Sequence, residues 1–171
     1  IYTYNFMHIF SSLSTLYDRV GNPYLGVHID SSQTFVKEAI QQLQEAGVPQ
    51  AWFDNQQTRD GLHHHITVVN AMEYARLEKE GTLPNMEGLI PCEVVGPGSV
   101  QKEIKGIPHT AYFLVMDSEP LQSIRALAGL KPMHFHMTLA FNPKDLHGPD
   151  IDKSRNSLLT LLDNNISLGN G

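Results

Sequence analysis

Five of the nine histidines in this chain fall in two copies of one pattern, His-x-His-x-Thr, four of them at its fixed positions. The copies are His63-His64-His65-Ile66-Thr67 and His134-Phe135-His136-Met137-Thr138. An imidazole with an unperturbed pKa near 6.5 serves as either base or acid at neutral pH, so two of them on one cleft are a proton-transfer pair in outline. The spacing suits a strand, whose side chains alternate faces, so both histidines and the threonine of each copy project from one side about 7 Å apart. The opposite side is apolar: Ile66 and Val68 in the first copy, Phe135, Met137, Leu139 and Phe141 in the second. Each strand is therefore expected to bury one face and line a wet cleft with the other.

The elements that must position these strands occur in the same order twice, which predicts an α+β fold built by duplication. In the first half, residues 24–30 alternate with Leu25, Val27 and Ile29 on one side, leaving Tyr24 and His28 to face the cleft floor. A helix is expected next, capped by Ser31 or Ser32, with Phe35, Val36, Ala39, Ile40 and Leu43 at helical spacing and Gly47 at its close. Trp52 and Phe53 should pack under the connection to the first histidine strand. A short helix over 71–80, capped by Asn70 and stopped by Gly81, follows that strand. In the second half a strand over 111–117, a helix over 119–127 ended by Gly129, and the second histidine strand repeat the unit. Both leading strands end in Asp-Ser, at Asp30-Ser31 and Asp117-Ser118.

Residues 1–22 read as a leader, helical over 11–19 and ended by Gly21-Asn22-Pro23. Residues 23–171 read as a single bilobal domain with lobes at about 23–82 and 109–163. The Pro- and Gly-rich segment between them should hold two short strands near Val94 and Val100, with a turn between. Gly96-Pro97-Gly98-Ser99 is expected to be that turn; without a helix start or a Lys-Ser/Thr pair behind it, it is not read as a phosphate loop. A last helix over 150–162 and a frayed tail over 164–171 complete the expected order. The duplication should place two mainly antiparallel sheets about a pseudo-twofold axis, with His65 and His136 on opposite walls of a central cleft.

The phrases His64-His65-Ile66-Thr67-Val68-Val69-Asn70 and His136-Met137-Thr138-Leu139-Ala140-Phe141-Asn142-Pro143-Lys144-Asp145 resemble the paired His-x-Thr motifs of the 2H phosphoesterase superfamily. That superfamily includes RNA 2′,3′-cyclic phosphodiesterases and RNA 2′,5′-ligase-like proteins, and the two phrases are most similar to its Swiss-army-knife RNA-repair-like branch. The resemblance implies a phosphoric diester hydrolase that needs no metal or other cofactor, with His65 and His136 as the catalytic acid and base. Thr67 and Thr138 would donate to the non-bridging phosphoryl oxygens where charge accumulates. His63, His134, Tyr24, His28 and Lys144 are the remaining candidates for contacting substrate, His147 lies in the same loop as Lys144, and His64 faces the apolar side. The implied substrate is a 2′,3′-cyclic phosphate on an RNA end, a short oligonucleotide or a cyclic nucleotide, with hydrolysis of cyclic di- or oligonucleotide signals as the alternative.

Composition bounds the other readings. A net charge of −6 argues against strong duplex-DNA binding, which depends on clustered Lys and Arg. The single cysteine, Cys92, excludes an internal disulfide and is expected near the core. No apolar stretch has the length of a membrane span or of a signal peptide, so no membrane partner is expected, and the chain is expected to be cytoplasmic and monomeric. Two other classes compete: a metal centre using three of the four His-x-His imidazoles, and a non-catalytic nucleotide-binding module. The recurrent threonine has no evident place in a metal shell.

Overall fold

The computed structural model of the chain describes residues 7–162 and 165–166. Strands β1 (His8–Ser11), β2 (Leu13–Tyr17) and β3 (Pro23–Asp30) open it, followed by helices α1 (Thr34–Glu45) and α2 (Gln50–Asp60). Strand β4 (His63–Val69) and helix α3 (Ala71–Glu80) complete the first half. The second holds β5 (Ile90–Ile104), β6 (Ile107–Asp117), α4 (Glu119–Leu127) and β7 (His136–Asn142), then a 3₁₀ turn at Arg155–Ser157 and the short pair β8 (Leu161–Leu162) and β9 (Asn165–Ile166). Among the described residues two main sheets form, β2-β3-β4 and β1-β5-β6-β7, with every neighbouring pair antiparallel. The α+β fold with two antiparallel sheets is the expected one. No helix among the described residues is long and apolar enough to cross a membrane.

The duplication extends to the backbone defects. On β4, Thr67 is opposite Gly26 and Val69 opposite Leu25, so Val68 is the extra residue of a bulge. On β7, Thr138 is opposite Phe113 and Ala140 opposite Tyr112, so Leu139 is the extra residue there. Each bulge directly follows the threonine of its His-x-Thr, breaks the alternation, and lets two successive residues turn inward: Val68 with Val69, Leu139 with Ala140, all fully buried. Gly26 fits its place opposite Thr67 because a Cβ there would lie 2.7 Å from the Ile66 carbonyl oxygen and 2.9 Å from Leu16 Cδ1.

One core joins the halves: Val27, Ile29, Ile66 and Val68 pack in the same cluster as Leu114, Met116, Met137 and Leu139. A buried charge pins them. Arg125 of α4 donates to the Val68 carbonyl at the first bulge (2.8 Å), to both oxygens of Glu73 (2.9 Å each) and to the Lys131 carbonyl. Glu73 also closes the capping box of α3 with Asn70, so this carboxylate ties a helix start to the opposite lobe.

Five expectations are corrected. Residues 11–19 are not helical: β1 pairs with β5 and β2 with β3, so the segment before residue 23 gives a strand to each sheet, while residues 1–6 lie outside the described residues. Helix α1 is preceded by Gln33 at its cap, not Ser31 or Ser32, because the Asp30 carboxylate accepts the Ser32 N–H and holds those residues in a turn. The connection under which Trp52 and Phe53 are expected to pack is itself a helix, α2, and both residues lie on it. The two short strands near Val94 and Val100 are one strand, β5, which absorbs its Gly and Pro through a bulge between Val94 and Gly96. Strand β1 pairs with β5 only from Ile90 to Glu93, so at Pro97 no strand of the sheet needs an N–H on that flank and the missing donor costs the ladder little. Finally, the helix expected over 150–162 is an irregular run: Ser154 caps a single 3₁₀ turn, and Leu159 then donates its N–H to the Pro97 carbonyl (2.9 Å), attaching the chain to β5. Of the expected tail, only residues 165–166 are described.

Candidate active site

A cleft of about 880 Å³ lies where β4 of one sheet packs against β7 of the other. His65 and Thr67 from β4 and His136 and Thr138 from β7 all line it. His63, His134 and Tyr24 do as well. Tyr24 reaches His65 with ring centroids 5.6 Å apart, and His63 lies 6.1 Å from His65 along the same strand. Two candidates are not brought in. His28 is exposed and stacks on His63 at 4.9 Å, outside the cleft lining. Lys144 is exposed and is not part of the lining, although the next four residues of its loop, Asp145 to Gly148, are. His134 also departs from expectation: β7 begins only at His136, so His134 lies before the strand, 61% exposed, with Nδ1 3.8 Å from Asp152.

The two central imidazoles differ in how their protons are placed. Nδ1 of His136 lies 3.0 Å from the His134 carbonyl oxygen, which only accepts. The proton is therefore on Nδ1, and Nε2 carries a lone pair. Nδ1 of His65 is buried with no partner, leaving Nε2 as the nitrogen open to the cleft. A buried N–H without an acceptor costs more than a buried lone pair, so the neutral ring keeps its proton on Nε2. Burial pushes the His65 pKa down to about 4, with Asp60 opposing the shift. Burial also pushes His136 well down, helped by the Lys153 ammonium and opposed by the His134 carbonyl. Both shifts favour the neutral ring near pH 7.

Beneath them is a charge cluster that sequence reasoning missed. Asp145 accepts from Arg59 Nη1 (2.6 Å), Lys153 Nζ (3.1 Å), the Leu146 N–H (2.8 Å) and the Thr138 hydroxyl (3.3 Å). His147 Nε2 is 3.7 Å from the same carboxylate. Burial alone would raise the Asp145 pKa, but Lys153 and Arg59 hold it far below the usual carboxylate range. Arg59 also forks onto Asp60 (2.7 and 2.8 Å) and lies over the Phe141 ring. Lys153 is buried against the Phe113 ring, whose other neighbour is His136 at 5.7 Å. Helix α2 anchors Arg59: Asn55 donates to the Phe141 carbonyl and Gln56 to the His63 carbonyl, so the helix bridges both histidine strands. Asp145 ends the phrase that carried the family resemblance, which was the available signal; Arg59 and Lys153 had none.

His64 faces the core side, as its strand position implies. Ser31 Oγ donates to the Leu62 carbonyl (3.1 Å) and therefore accepts from His64 Nδ1 (2.7 Å). The hydroxyl proton is committed to a carbonyl, so this pair fastens a turn and makes no nucleophile. Burial lowers the His64 pKa to about 4. The unfolded chain binds a proton here near pH 6.5 and the folded chain does so only near pH 4, so stability falls as pH drops through that window. Urea unfolding should show the loss, and His64→Gln should flatten the slope by up to about 1.4 kcal/mol per pH unit. An unchanged slope would remove His64 as its source.

Among the described residues no group of three or more His, Cys, Asp or Glu is arranged to hold a metal ion, and the four imidazoles do not converge, since His134 turns to Asp152. No curated protein and no solved structure matches the chain. The family model described as Swiss Army Knife, 2H phosphoesterase domain matches residues 23–147, well over half of the sequence. Since that match runs from the start of β3 through both bulged histidine strands to the loop holding Asp145, the chain belongs to the 2H phosphoesterases, in their Swiss Army Knife branch.

Proposed function

We propose that the chain hydrolyses a 2′,3′-cyclic phosphate at an RNA or nucleotide end by two-histidine acid/base catalysis, without a metal. The observation that carries this reading is the lining of one cleft by His65, Thr67, His136 and Thr138, each pair on its own bulged strand. His136 is the base: its Nδ1–H is held by a carbonyl and its Nε2 lone pair can take a proton from water. The water oxygen forms a bond to phosphorus as the bond to one ribose oxygen breaks in line with it. His65 is the acid, delivering a proton to that leaving oxygen, and the product is a phosphomonoester. Solvent exchange resets both rings. An arriving phosphate anion favours the charged imidazolium and so raises the depressed His65 pKa toward the value an acid needs.

The threonines meet the non-bridging oxygens on unequal terms. Thr67 is half-exposed at the cleft wall, whereas the Thr138 hydroxyl donates to Asp145 and must turn to reach a phosphate. Thr67→Val and Thr138→Val should each cost about 2–4 kcal/mol of transition-state stabilisation, by analogy with loss of an oxyanion donor. Only Thr138→Val should also lower the melting temperature, by removing a hydrogen bond worth about 1 kcal/mol. Equal melting curves would detach Thr138 from the carboxylate.

The decisive assay is a panel of 2′,3′-cyclic mononucleotides, cyclic-phosphate-ended RNA and cyclic oligonucleotides, each with and without EDTA. Hydrolysis of the 2′,3′-cyclic phosphates, undiminished by chelation, is expected. Activity lost in EDTA and restored by zinc would replace proton transfer by a metal centre.

A further inference from the structure

One wall of the cleft lies outside the segment shared with the family. Tyr17, the last residue of β2, and Asp18, Arg19 and Val20, on the turn to β3, line the cleft, whereas the family match begins at residue 23. The turn is preorganised. Asp18 accepts the N–H groups of Val20 (3.1 Å) and Asn22 (2.8 Å) on one carboxylate oxygen, and its own N–H donates to the Asn22 carbonyl (2.9 Å). The acidic side chain is thus folded into the turn, and its neighbours extend outward. Tyr17 is 67% exposed, a large aromatic ring that the core does not use. Arg19 is exposed and makes no ion pair among the described residues, while Arg59 and Lys153, the other cations of the lining, are committed to Asp60 and Asp145.

A single phosphate between the two histidines does not require this wall. The cleft volume is near the upper end of the roughly 300–1,000 Å³ of ordinary ligand pockets, leaving room beyond the reacting group. Single-stranded nucleic acid is held by the pairing found here, an aromatic face for a base and a free cation for a backbone phosphate. We propose that Tyr17 and Arg19 form a second subsite for a linear RNA strand, Tyr17 stacking on the base of the nucleotide preceding the cyclic phosphate and Arg19 holding its phosphate. This rests on the cyclic-phosphate reading and narrows it, making a strand end a better substrate than a free mononucleotide.

Two measurements on the full chain test the subsite. In the first, kcat/KM is compared for a 2′,3′-cyclic mononucleotide and for a dinucleotide ending in the same cyclic phosphate. The dinucleotide should be favoured by at least about tenfold, and Tyr17→Ala and Arg19→Ala should each erase about tenfold of that preference. In the second, fluorescence anisotropy follows binding of a labelled tetranucleotide bearing a 3′-phosphate as salt is varied. Arg19→Ala should weaken binding and reduce the salt slope by about 0.7. Equal preference for the two substrates, or variants that lose on both in proportion, would overturn the subsite. If neither cyclic phosphate is hydrolysed, the hydrolase reading fails, and the tetranucleotide still decides: unchanged affinity and slope in Arg19→Ala would overturn the subsite by itself.

Discussion

His65→Ala and His136→Ala should each lower kcat on a 2′,3′-cyclic phosphate by at least about 10², because each removes one of the two proposed proton-transfer groups. The two losses should differ in kind. A p-nitrophenyl phosphodiester has a leaving group that departs without a proton, so it should restore much of the activity of His65→Ala. It should not rescue His136→Ala, which still lacks the base that activates water. The basis for the distinction is the proton placement: a carbonyl holds His136 Nδ1–H, while His65 Nδ1 is buried without a partner. The double variant should lose less than the product of the single losses, since groups acting in one transition state are not additive. Equal rescue of both variants by the aryl ester would reverse or abolish the assignment.

The parts of this site that could be read from sequence are those with a local period. His65 with Thr67 and His136 with Thr138 announce themselves because a strand repeats every two residues and their neighbours Ile66 and Met137 are apolar. Helix α3 was legible at both ends, since Asn70 and Glu73 spell a capping box and Gly81 adopts the left-handed conformation that stops it. Helix α2 was not. It buries only Phe53 and Gln56 and has no apolar stripe, because it is held by Asn55 and Gln56 donating to strand carbonyls. Strand β5 was obscured by Pro91, Gly96, Pro97 and Gly98, which ordinarily punctuate a chain. Gly98 lets the 3₁₀ turn come close, since a Cβ there would lie 2.7 Å from Ser157 Oγ and 3.0 Å from the Ser157 carbonyl oxygen. The strands before residue 23 were missed because two edge strands of four and five residues carry little pattern of their own. Least legible was the charge cluster. Arg59 and Asp145 are 86 positions apart, and only the docking of α2 across β7 makes them neighbours.

That cluster should prove as important to the fold as the histidines are to the chemistry. Asp145 is the anion shared by Arg59 and Lys153, and the Lys153 ammonium is buried. Breaking a buried pair by removing one partner typically costs about 3–5 kcal/mol, because the charge left behind has neither water nor a counter-ion. Asp145→Ala should therefore lower the melting temperature by roughly 6–20 °C for a domain of this size. Asp145→Asn keeps the shape and an acceptor for the Thr138 hydroxyl, yet should still destabilise, since the loss is chiefly one of charge. Adding Lys153→Met to Asp145→Asn should recover part of it by taking away the orphaned cation, so the pair should be clearly non-additive in a double-mutant cycle. If Asp145→Asn melted like the parent chain, the carboxylate would not be the hub. The loop after β7 would then need another anchor to hold His147 and Lys153 against the cleft.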